Sequence, residues 1–114
     1  MNCLSSEFRL KTTKEFDKVY KANKKWHTTS FVIFYQDDTS SIKNGFVASK
    51  KVGNAVQRNS AKRRMKAIFM QYCNKIKNGK YIMVAKDTIG QRGYEDLKKD
   101  FLFALKRMNL TTSQ

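Results

Sequence analysis

Residues 50–66, KKVGNAVQRNSAKRRMK, hold seven lysines and arginines and no acidic residue. Side chains of this kind do one chemistry well: they neutralise phosphates and release condensed counterions, which gives tight and salt-dependent binding to a polyanion. Asn54 and Gln57 have the spacing of a helix N-cap with its reciprocal partner, so a helix is expected to start near Ala55. At about 100° per residue, with Met65 at zero, Arg58, Lys62, Lys66, Asn59 and Arg63 fall at roughly 20, 60, 100, 120 and 160°, one continuous basic stripe. Ser60 and Arg64, near roughly 220 and 260°, point away from it. Like charges at i, i+4 and cations near a helix N-terminus each cost a few tenths of a kcal/mol, about 0.3–0.5 each. A bound phosphate reverses the sign of those terms, and Lys50 and Lys51 just upstream add charge to the same anion site.

Hydrolytic chemistry lacks its usual groups. The one histidine is His27, and the nine carboxylates are scattered: Glu7, Glu15 and Asp17 near the N-terminus, Asp37 and Asp38 in an expected turn, then Asp87, Glu95, Asp96 and Asp100 after the basic segment. None has metal-ligand spacing, and Asp96 and Asp100 read as exposed helix partners of nearby lysines. Neither catalytic nor metal-binding residues are assigned. Cys3 and Cys73 lie far apart without C-x-x-C spacing, so neither a disulfide framework nor a zinc site is expected.

The elements that must position the basic stripe follow from periodicity. A chain of 114 residues with 40% apolar content fits one domain, residues 1–114, with ends at 1–8 and 109–114 that look prone to fraying. Thr12 and Glu15 form a capping-box pair, and Phe16, Val19 and Tyr20 recur at helical spacing, predicting a helix over 13–22. SFVIFYQ (30–36) reads as a strand, GFVASK from Gly45 as its hairpin partner, and 24–28 as a short edge strand. Met65, Ile68, Phe69, Tyr72 and Ile76 extend the second helix over 55–77, with Asn78-Gly79 as its stop. YIMVA from Tyr81 is a buried strand, parallel to its predecessor because a helix separates them, and Tyr94 to Met108 carry a last helical stripe over 93–108. The resulting order, α-β-β-(β)-α-β-α, is an α+β sandwich of helices on a small mixed sheet.

A net charge of +15, with twelve Lys or Arg and no acid between Asp38 and Asp87, makes the expected partner anionic. No apolar run approaches the roughly 18 residues of a membrane span and no signal-like segment opens the chain, so a soluble, cytoplasmic protein without a membrane partner is expected. Aromatic rings add a second element of nucleic-acid recognition. Phe16 and Tyr20 lie one helical turn apart, and Phe34 alternates with Phe31, Ile33 and Tyr35 and so faces away from them.

SKKVGNAVQRNSAKRRMKAIF closely resembles the signature of the bacterial ribonuclease P protein family, and the resemblance spans nearly the whole chain: RLKTTKEFDKVYK is similar to the family's first helix, SFVIFYQ and GFVASKK to its hairpin, YIMVAK to its last strand. It implies a basic subunit that works with a catalytic RNA to remove the 5′ leader of precursor tRNA. The RNA would hold Mg²⁺ and perform the hydrolysis, with no obligate protein partner. It also implies a left-handed strand-helix-strand crossover, against the usual right-handed rule. By resemblance, Phe16, Tyr20 and Phe34 would line a cleft for the single-stranded leader, and Arg58, Asn59, Lys62, Arg63 and Lys66 would face the catalytic RNA. Ser60 and Lys66 depart from the family pattern, which has a basic residue directly after the Asn and often an Arg at the later position; Lys66 keeps the point charge without bidentate geometry. Charge and size alone also fit a structural RNA-binding protein such as a small ribosomal component.

Overall fold

The computed structural model describes residues 6–38 and 40–112. Thr12 caps α1 (Thr13–Lys21): its Oγ1 accepts the Glu15 N–H at 3.1 Å, while the Glu15 carboxylate accepts the N–H groups of Thr12 at 3.1 Å and Lys11 at 2.8 Å. β1 (Lys24–His27), β2 (Phe31–Asp37), β3 (Ile42–Val47) and β4 (Gly79–Ala85) form one sheet in the order β1-β2-β4-β3. α2 (Ala55–Tyr72) joins β3 to a parallel β4, and α3 (Tyr94–Arg107) closes the fold. This is an α+β domain on a four-stranded mixed sheet, as expected.

Three strand and helix details differ from the sequence reading. β2 and β3 are consecutive in sequence, yet they are not hydrogen-bonded neighbours; β4 lies between them, antiparallel to β2 and parallel to β3. β4 takes an interior position with both edges paired, and Tyr81, Ile82 and Met83 are all buried. The hairpin is instead β1 with β2. α2 stops at Tyr72, five residues short of the expected end; a 3₁₀ turn (Cys73–Lys75) follows, and Ile76 enters the core from extended backbone, bridged to Thr111. Its fit to the helical stripe was a coincidence of spacing, because burial depends on direction into the core and not on helical phase. Gly79, with φ 153°, opens β4 rather than capping the helix; a Cβ there would meet the Tyr35 ring at 2.4 Å.

Residues 109–112, expected to fray, are tied down. Lys77 donates to the Leu110 carbonyl at 2.8 Å, Thr112 to that of Lys75 at 2.9 Å, and Leu110 is buried. At the other end, Leu10 is buried and donates to the Asn44 carbonyl at 2.9 Å; residues 1–5, 113 and 114 lie outside the described residues. Cys73 is buried and disulfide-bonded, which the spacing argument did not expect; Cys3 lies outside the described residues. Asp96 and Asp100 pair with other groups than lysines. Asp96 accepts the Gly93 N–H at 3.1 Å at the start of α3, and Asp100 binds Arg92 at 3.1 Å and the Ser30 hydroxyl at 2.7 Å.

The sheet has a different partner on each face. Phe31, Ile33, Tyr35, Tyr81 and Met83 pack with Met65, Ile68 and Phe69 of α2 and Leu97 and Phe101 of α3. Ile82, with Phe34, Val47 and Val84, packs with Val19, Phe16 and Tyr20 of α1 and with Leu10. α1 and Leu10 cover that second face incompletely, leaving Phe16, Tyr20 and Phe34 half-buried.

Candidate nucleic-acid interface

Alternation along β2 puts Phe34 on the α1 face, as its spacing predicts, opposite Ile82 on β4. Three half-buried rings then cross the sheet in a row. Phe16 and Tyr20 have centroids 6.5 Å apart, and Tyr20 meets Phe34 edge-on at 4.7 Å. Lys25 on β1 extends the row, its ammonium 5.9 Å from the Phe34 centroid. Burial and the nearby Asp17 carboxylate raise the Tyr20 phenol above its ordinary pKa. The opposite end of the row is fixed by Gly45 on β3, where a Cβ would stand 2.7 and 2.8 Å from Phe16 ring carbons. The glycine lets the ring lie against the strand backbone.

The basic stripe forms on α2 as the helical geometry predicts, and it is not set apart from the rings. Lys62 and Lys66 line a groove of about 190 Å³ together with Phe16, Arg9 and Gly45, along the β3 edge. The sequence reading placed these lysines and Phe16 on two surfaces; the fold makes the surfaces continuous. Asn59 and Arg63 are exposed further round the helix, and Lys50 and Lys51 are exposed in a 3₁₀ turn (Lys50–Val52) just before the α2 N-cap. Among the described residues, no carboxylate lies within ion-pair distance of Lys50, Lys51, Arg58, Lys62, Arg63 or Lys66. Their charge is available to an outside partner.

The helix start is built as expected: Asn54 Oδ1 accepts the Gln57 N–H at 2.9 Å and Gln57 Oε1 accepts the Asn54 N–H at 2.8 Å. Arg58 is partly used internally, donating to the Gly53 carbonyl at 2.9 Å. Arg64, predicted to point away, donates to the carbonyls of Ile89 and Arg92 and so holds the turn Asp87–Gln91 against α2. It is structural. Among the described residues, no group of three or more His, Cys, Asp or Glu is placed to hold a metal ion.

Arg9, Lys25 and Gly45 belong to this surface but were not picked out from the sequence. Lys25 had a readable signal, since strand alternation puts it on the opposite side from Trp26. Arg9 and Gly45 had none, because their roles depend on which strand edge the N-terminal segment and α1 meet.

The family profile described as Ribonuclease P matches residues 4–109. The chain belongs to the ribonuclease P protein family. The ribonuclease P protein component of a Nitratiruptor species is 44% identical over 99 residues, spanning 87% of this chain and 90% of the relative. That of Syntrophomonas wolfei subsp. wolfei is 30% identical, spanning 94% and 92%. Solved ribonuclease P proteins share the fold. A Staphylococcus aureus protein superposes with a TM-score of 0.83 at 23% identity over 92% of this chain and 98% of its own. One from Thermotoga maritima, in complex with 1-(4-fluorophenyl)-2-thiourea, gives 0.77 at 23% identity over 87% and 98%.

Proposed function

We propose that this chain is the protein subunit of a ribonucleoprotein ribonuclease P, binding the catalytic RNA through α2 and the 5′ leader of precursor tRNA through the α1 cleft. The observation that carries the reading is the continuity of two surfaces: a row of rings fit to stack on unpaired bases opens at Phe16 directly onto Lys62 and Lys66. A leader lying over Phe34, Tyr20 and Phe16 is delivered to the basic side of α2, where the RNA subunit would sit.

Division of labour follows from the side chains. Mg²⁺ and phosphodiester hydrolysis are assigned to the RNA. Lys50, Lys51, Arg58, Asn59, Lys62, Arg63 and Lys66 lower the repulsion between two phosphate-rich molecules, which reduces the Mg²⁺ needed for the same affinity. Product tRNA has no leader, so the cleft contacts favour substrate over product and help turnover. Phe16→Ala or Tyr20→Ala in the reconstituted complex should weaken precursor tRNA by about tenfold, the effect of losing one ring that stacks on a base, and leave mature tRNA unchanged. Equal weakening of both would remove the leader from the cleft.

A further inference from the structure

Rings and cations also alternate at a second place, on the far side of β1. Trp26 pairs with Ile33, so its side chain lies on the face covered by α2 and α3. Its ring is 6.1 Å from that of Phe103 on α3, and Phe103 is 54% exposed. The Arg107 guanidinium lies 5.3 Å from the Trp26 centroid and 5.9 Å from that of Phe103, holding the two rings together. Beside them runs a groove of about 410 Å³ with four cations, Lys24, Lys25, Lys77 and Arg107, against one carboxylate, Asp37. Lys24 already neutralises Asp37 at 2.7 Å. A hollow of about 450 Å³ continues beyond Trp26, where Asp100 is engaged by Arg92. Of these residues only Lys25 also belongs to the α1 row, and none lies on α2.

Phe103 lines that hollow while Trp26 and Arg107 line the electropositive groove beside it, so two rings bridged by a guanidinium there call for an occupant that is both flat and anionic. A second copy of this chain fits poorly, since each copy carries +15 and brings more positive charge. Unpaired nucleotides fit both properties. Continuity identifies which ones. Lys25 stands over Phe34 at the β1 end of the aromatic row, and the next residue, Trp26, lies just around the strand edge. We propose that Trp26, Phe103 and Arg107 form a second stacking platform that takes the upstream nucleotides of the precursor's 5′ leader, beyond those held in the cleft. This rests on the cleft being the leader site.

The test uses the reconstituted complex and two precursors, one with a leader that ends over Phe34 and one several nucleotides longer. The longer leader should bind about tenfold more tightly to the natural protein, the size of one base stacked on a ring. The double variant Phe103→Ala/Arg107→Ala should lose that gain and keep its affinity for the short leader. Trp26 is the sole tryptophan, so its emission should change on binding the longer precursor and not the shorter one. No gain from the longer leader, a gain that survives in the double variant, or emission that ignores leader length would each overturn the proposal. Those results leave the cleft standing. If instead Phe34→Ala fails to separate the short precursor from mature tRNA, the cleft reading falls and this one with it.

Discussion

Gly45→Ala should test the cleft's construction more sharply than removal of any ring. The new Cβ would stand 2.7 and 2.8 Å from two Phe16 ring carbons, whereas carbon atoms in contact sit at about 3.5–4.0 Å. Phe16 must therefore retreat by about 1 Å, either by turning off its rotamer or by lifting α1 from the sheet. Overpacking of this kind costs about 1–3 kcal/mol. Gly45 is absent from the residues of positive φ, so the backbone itself accepts alanine. A Gly→Ala change without strain stabilises by about 0.4–1 kcal/mol, through the unfolded chain. In a Phe16→Ala background the clash has no second partner, and Gly45→Ala should there be neutral or stabilising. Urea unfolding of the four proteins in the cycle should give a coupling on the order of 2 kcal/mol between the two sites. Additive effects would show that Phe16 does not rest on Gly45, and the description of the cleft's β3 end would be wrong.

Further outcomes follow from the same contacts. Lys62→Ala and Lys66→Ala should each flatten the slope of log K against log salt for the catalytic RNA by up to about one unit per lost phosphate contact, measured by filter binding; unchanged slopes would place both side chains in solvent. Arg64→Ala should lower stability by about 1–3 kcal/mol in chemical unfolding, since the carbonyls of Ile89 and Arg92 lose their donor, while the salt slope stays the same. Glu15 titrates below its usual value of 4.5, chiefly because its carboxylate accepts the Lys11 and Thr12 N–H groups. Its contribution to the α1 cap is complete above the unfolded value and lost as pH falls through the lowered folded value, so α1 should loosen only in acid below about pH 4.5. Amide exchange at Thr12 followed down to pH 3 checks this, and Glu15→Gln should remove the pH dependence.

Both capping boxes were legible because their signal is local: Thr12 with Glu15, and Asn54 with Gln57, need only three residues of spacing. The directions of Phe34 and Arg64 were legible too, as strand alternation and helical phase settle them before any tertiary contact forms. Strand order was not. GFVASK and SFVIFYQ are good hairpin partners by composition, and the insertion of β4 between them depends on how all four strands and both helical layers pack, a preference of the whole sheet. The end of α2 was misplaced for a related reason, since Ile76 meets the same core from an extended segment. The meeting of Phe16 with Lys62 and Lys66 needs α1 and α2 to sit on opposite faces and converge at the β3 edge, information that no single stretch contains. The composition signalled the basic helix and the motif its family; the continuity of the binding surface belongs to the fold.

The most direct measurement is reconstitution of the purified, nuclease-treated protein with the candidate catalytic RNA from the same cell, following leader removal from precursor tRNA under multiple turnover at low Mg²⁺. Cleavage should appear only when both components are present. Leader removal by the protein alone, or a rate with RNA that the protein leaves unchanged, would contradict the assignment of phosphate screening and leader capture to this chain.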